Sequence, residues 1–157
     1  MRVGSILLLL SCALWLAPCG RAADITVAGD WLRTITKTDL TAGAGSDLAS
    51  TYESDAGVTT VAIANTSGGA WRVSLRRADG TWNSNVSLWV RRSSTGSGSG
   101  TISGGTTYVQ LAALDTEVFS GTGDRSSVTL QFKLTGMSKN VAPGTYSTTV
   151  VYTVSSP

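Results

Sequence analysis

The 157-residue chain contains no histidine, and its two cysteines, Cys12 and Cys19, both lie within the first 22 residues. Beyond residue 22 the usual general base, the soft metal ligands and the thiol nucleophile are therefore missing, and no disulfide can staple the fold. Only 14% of the residues are charged, and no apolar run long enough to span a bilayer follows residue 22. No serine sits in a G-x-S-x-G setting, and neither EF-hand spacing nor a Walker-type loop is present. The Gly96–Gly105 stretch has no lysine and no strand-to-helix context with which to cradle a phosphate. These absences argue against an enzyme: no catalytic residue, cofactor site or metal site is expected.

The first 22 residues have the layout of a secretory signal peptide. Arg2 supplies the charged start and Ile6 to Leu16 the apolar core, and Pro18 and Gly20 break it. Gly20 and Ala22 stand at the −3 and −1 positions of a cut after Ala22. An uncleaved anchor and a lipoprotein cut before Cys19 are the other fates of such a segment; Pro18 stands where the second would need a small residue. Arg2 and Arg21 leave with the leader, so ten basic residues face ten acidic ones. The processed chain is neutral, with no basic footprint for nucleic acid and no remaining membrane span. Its roughly 135 residues suit one domain with its own core. The expected location is secreted, in the periplasm or at the cell surface.

What the sequence does have is alternation. The C-terminal stretch Gly144 to Val154 is almost wholly β-branched, aromatic or small and hydroxylated, with Tyr146, Thr148, Val150, Tyr152 and Val154 on one side. Further strands are expected at Asp24–Ile35, Val58–Asn65, Ala70–Arg77, Asn85–Arg92, Thr106–Leu111 and Ser127–Leu134, with a fragment at Glu117–Phe119. Thr66–Gly69 and Asp79–Gly80 read as turns, Leu40–Gly57 as loop with an extended piece near Tyr52, and Ser93–Gly105 as a flexible surface loop. About seven strands without a helical stripe predict an all-β antiparallel sandwich. Its expected inward residues are Val61, Ile63, Trp71, Val73, Leu75, Val86, Leu88, Val90, Leu130, Phe132, Val150 and Tyr152.

Individual side chains admit two readings each. Asp115, Glu117 and Asp124 are close enough in sequence to ligate Ca²⁺, but turn-forming aspartates in solvated loops explain them better. Trp71 and Trp31 fall on apolar phases and read as core. Trp82 lies in a turn region, and Trp89 falls on a polar face beside Arg91; each either stacks on a sugar or protein partner or packs under a loop. The pairs Arg76–Arg77 and Arg91–Arg92 read as strand-end charges that discourage stray edge pairing.

The closing run Pro143-Gly144-Thr145-Tyr146-Ser147-Thr148-Thr149-Val150-Val151-Tyr152-Thr153-Val154 resembles the end of the spore-coat U domain and of the related archaic chaperone–usher pilins. Gly144, Tyr146, Thr149 and Val150 fall on a Gly-x-Tyr-x-[Asp/Thr]-Thr-Val-type pattern, with Thr148 where the family often has Asp. The N-terminal cysteine pair common in that family is absent here. The resemblance implies an immunoglobulin-like sandwich lacking its last strand, whose groove is filled first by a periplasmic chaperone and then by a neighbouring subunit at an outer-membrane usher. On that basis Ile25, Val27 and Trp31 would enter a neighbour's groove, bordered there by Tyr146, Val150 and Tyr152. Pairing of Asp24–Ile35 within its own domain is the competing arrangement. Two functions follow: a structural subunit of a surface fibre or coat, or a free-standing secreted sandwich that binds carbohydrate or protein through Trp82, Trp89 and Arg91.

Overall fold

The computed structural model describes residues 23–157; the expected signal peptide, at 1–22, lies outside the described residues. Eleven strands make up the fold: β1 Asp24–Ala28, β2 Thr51–Glu53, β3 Thr59–Ala64, β4 Ala70–Thr81, β5 Ser87–Arg92, β6 Ser97–Gly98, β7 Ile102–Gly104, β8 Val109–Leu111, β9 Thr116–Thr122, β10 Arg125–Thr135 and β11 Ser147–Ser155. Among the described residues the one helical piece is a 3₁₀ turn at Lys37–Asp39, capped by the Thr36 hydroxyl.

The strands form two antiparallel sheets. One runs β1-β3-β10-β5-β8, with β2 and β6 also on β10; the other runs β11-β4-β9-β7. β10 is the spine of the first sheet. Leu130 lies between Thr59 of β3 and Arg92 of β5, and Lys133 between Glu53 of β2 and Trp89 of β5. β4 holds the same position in the second sheet, between β9 and β11. The layers meet over a core of Val61, Ile63, Trp71, Val73, Leu75, Leu88, Val90, Leu111, Phe119, Val128, Leu130 and Phe132. Trp71 and Phe119 meet edge to face at 6.1 Å, a geometry that sets a ring's positive edge against its neighbour's negative face. The Trp71 indole nitrogen donates to the Gly123 carbonyl at 2.8 Å, so the ring is buried without stranding its polar atom.

Ten of the twelve residues expected inward are buried; Val150 and Tyr152 are half-buried, because the surface they face is open. Three expectations need correction. The Asp79–Gly80 turn does not form: β4 runs through it to Thr81, held by the long ladder to β11. The first strand stops at Ala28, where Gly29 takes a φ of +98° against the Val58 carbonyl. The Ser93–Gly105 stretch is structured, supplying β6 to one sheet and β7 to the other.

Candidate functional site

β11 is the feature that calls for a partner. Nine residues long, it pairs with β4 on one side and, among the described residues, with no strand on the other. Period-two alternation sends Val150, Tyr152 and Val154 toward the core and leaves Thr149 and Thr153 outward and exposed. β1 is the edge of the facing sheet, and the two edges do not pair. Between β11 and the Gly29–Arg33 segment that follows β1 lies a groove of about 450 Å³, with Trp31, Trp82, Leu88, Phe132, Leu134 and Val150 among its walls. It adjoins a second hollow of about 610 Å³ under Ile35, Leu40, Leu48, Met137 and Val141. Leu32 stands at the rim of both, 88% exposed.

Apolar and aromatic side chains take the larger part of this groove's lining, with Thr59, Thr145, Ser147 and Thr148 among the rest. Burial pushes the Tyr152 hydroxyl up to about 12, with a hydrogen bond to Thr59 pulling the other way. The Trp82 nitrogen donates to the Val86 carbonyl at 2.8 Å, and the Arg77 guanidinium lies over its ring at 4.8 Å. Tyr146 donates from its hydroxyl to the Ala142 carbonyl at 2.6 Å, bracing the segment that leads into β11.

The predicted interface residues divide. Tyr146, Val150, Tyr152 and Trp31 come together in the groove wall. Ile25 and Val27 do not: they sit in β1, opposite Ile63 and Val61 of β3, packed against the chain's own core. The expectation that they enter a neighbour's groove thus meets an N-terminal segment already paired in cis. β1 thus belongs to the other sheet, and the outer edge of β11 has no paired strand among the described residues.

The predicted ligand contacts are largely engaged within the molecule. Trp82 turns into the groove, whereas Trp89 and Arg91 lie on the outer face of the first sheet. The Trp89 nitrogen donates to the Thr135 hydroxyl at 2.9 Å, and Lys133 lies over its ring at 5.3 Å and over Tyr108 at 4.0 Å. Arg91 donates twice to the Gln131 side-chain amide oxygen, Oε1, at 2.8 and 2.9 Å, and covers Tyr108 at 4.8 Å. The acidic trio is also dispersed: Asp115 faces Arg76, Glu117 faces Arg72, and Asp124 accepts from the Thr66 amide and hydroxyl. Those Thr66 bonds hold the Asp124 carboxyl below the usual carboxylate range. Among the described residues no group of acidic side chains is placed to hold a metal ion, and no helix is long and apolar enough to cross a membrane.

The arginine pairs divide: Arg91 and Arg92 do end β5, whereas the other pair is not at a strand end. Arg76 and Arg77 lie inside β4, facing Val151 and Val150 across the β11 ladder, and Arg92 is buried. Arg92 donates to the Gly104 carbonyl at 2.8 and 3.0 Å and to the Ser94 carbonyl at 3.0 Å, fixing both ends of the glycine-rich segment. Its alternating position on β5, opposite that of Arg91, was the available sequence signal. Comparison with protein-family models, curated proteins and solved structures finds no match for this chain.

Proposed function

We propose that this protein is a non-enzymatic structural subunit of a surface fibre or coat: an immunoglobulin-like, pilin-like sandwich, one strand short, that assembles by β-strand addition. The observation that carries the reading is the free edge of β11 above an apolar groove. A strand seated there would bond the unused main-chain groups of β11 and lay alternate side chains against Phe132, Leu88 and Tyr152. Apolar burial supplies the energy, at about 1.5–3 kcal/mol per large side chain, and the ladder sets the register. The donor comes from another chain, a related subunit or a chaperone, because β1 is engaged with β3.

Binding of a sugar through exposed aromatics draws less support. Trp82 faces the groove, and a cation already covers Trp89.

The test is a charge in the groove. Val150→Asp should abolish assembly of the secreted protein, read by light scattering and electron microscopy, while circular dichroism retains the β signature. A parent that stays monomeric and stable, with the groove empty, would sink the proposal. Chaperone and usher genes beside its own would strengthen it.

A further inference from the structure

We infer that the strand seated on β11 is β11 of a second copy, paired antiparallel about a twofold axis through Val151. The inference rests on the reading of β11 as an open acceptor edge and names its occupant. Ser147-Thr148-Thr149-Val150-Val151-Tyr152-Thr153-Val154-Ser155 is nearly self-complementary when one copy runs backward along another. Centred on Val151, the pairs are Ser147 with Ser155, Thr148 with Val154, Thr149 with Thr153, Val150 with Tyr152, and Val151 with itself.

Every pair joins residues of the same parity, so groove-side residues meet groove-side residues and outward ones meet outward ones. Thr–Thr and β-branched–aromatic pairs are favourable cross-strand neighbours. The strand has no charge, proline or glycine, so no like charges meet across the axis and nothing blunts the edge.

The other sheet edges are poorer candidates. β7 and β8 are three residues each, and β1 is five and begins at Asp24. Pairing at β11 would join the two four-stranded sheets into one and bring the partner's Val150 and Tyr152 to the open side of the groove. Such a contact is isologous and closes at two copies. The dimer is then the building block of any larger assembly, which must use a second surface.

The test uses the full chain, exported and purified, in sedimentation velocity over a range of concentrations. The parent should dimerise. Thr149→Lys/Thr153→Lys puts lysines opposite each other at two pairs and should weaken the dimer on the order of tenfold or more. Thr149→Glu/Thr153→Glu should do the same, and mixing the two variants should restore a heterodimer, which a folding defect could not do. Val151→Cys, at the axis, should crosslink to itself on oxidation, whereas Val154→Cys should not.

A parent without dimers overturns the inference. If lysines abolish association but Val151→Cys does not crosslink, β11 receives some other strand, and only the proposed occupant fails. If the lysine variant associates like the parent, both the occupant and strand addition at β11 fail.

Discussion

The two flanks of this sandwich solve the same problem in opposite ways. On one flank residues 93–104 cross from sheet to sheet, first pairing Ser97 with Ser126 of β10 and then Ser103 with Ser120 of β9. The crossing is close: a Cβ on Gly96, Gly98 or Gly100 would overlap the carbonyl oxygens of Ser126, Asp124 and Thr122 respectively. From Gly96 to Gly100 every second residue lacks a side chain, and the backbone itself becomes the seal. On the other flank β1 and β11 do not pair, and between β11 and the Gly29–Arg33 segment a groove stays open among the described residues, with Trp31, Leu88, Phe132 and Val150 in its walls. A closed flank needs small residues that let chains approach. A strand paired on one edge, with apolar side chains on its inner face, leaves a surface to be covered by something else.

The largest effect that would test this contrast lies in the core both flanks share. Trp71→Ala and Phe132→Ala should each cost about 3–5 kcal/mol in denaturant unfolding, since each empties a ring-sized space between the sheets. A cost below about 1 kcal/mol would mean that the layers are not packed as described.

Next comes the sealed flank. Gly98 holds a φ of +142°, which side chains disfavour, and a Cβ there meets backbone that cannot swing aside. Gly98→Ala should therefore destabilise by about 2–4 kcal/mol. A neutral result would show that the crossing segment is loose.

On the open flank, Tyr152 gives a pH signature. Its hydroxyl titrates near 10 when unfolded and about 12 in the groove, so the folded state keeps its proton over that interval. The associated stability is intact below pH 10 and is lost as pH rises toward 12, to a total of about 2–3 kcal/mol. Urea midpoints measured across this range should fall for the parent and fall less for Tyr152→Phe; parallel curves would refute the assignment. A partner strand that buries the groove further should move the loss to still higher pH.

The smallest expected effect sharpens the comparison most. Val150→Ala should cost only about 0.5–1.5 kcal/mol in the monomer, because its methyl groups face a half-open groove, and more in any assembled form. Equal costs in both states would mean that the groove is not the site of assembly.

Much of this architecture was legible from alternation alone. Val61 and Ile63, Trp71 to Leu75, Val86 to Val90 and Leu130 to Phe132 point inward because a half-buried strand sorts its side chains by parity, and parity can be read locally. The same rule puts Tyr146, Val150 and Tyr152 on one side of the last strand; the expectation of a groove beside them rests on the resemblance of the closing run.

Turn chemistry misled at Asp79–Gly80, where a long ladder to β11 outweighed a local preference. Composition misled at Ser93–Gly105: glycine and serine suit a mobile loop and a tight backbone seal equally well. Only the approach of Ser126, Asp124 and Thr122, more than twenty residues away, separates the two.

The sequence by itself determined that the chain is built of strands and identified ten of its core residues, and it places neither cysteine nor histidine beyond residue 22, whereas Leu111, Val118, Phe119 and Val128 join the core only in the structure. Those properties follow from residue type and period-two order. The tertiary structure alone decided that Ile25 and Val27 pair in cis with β3, that Arg92 is buried to anchor a crossing segment, and that β11 pairs on one edge only among the described residues. The reason is physical: an unpaired edge and a paired one carry the same residues, and the difference lies in what the rest of the chain brings beside them.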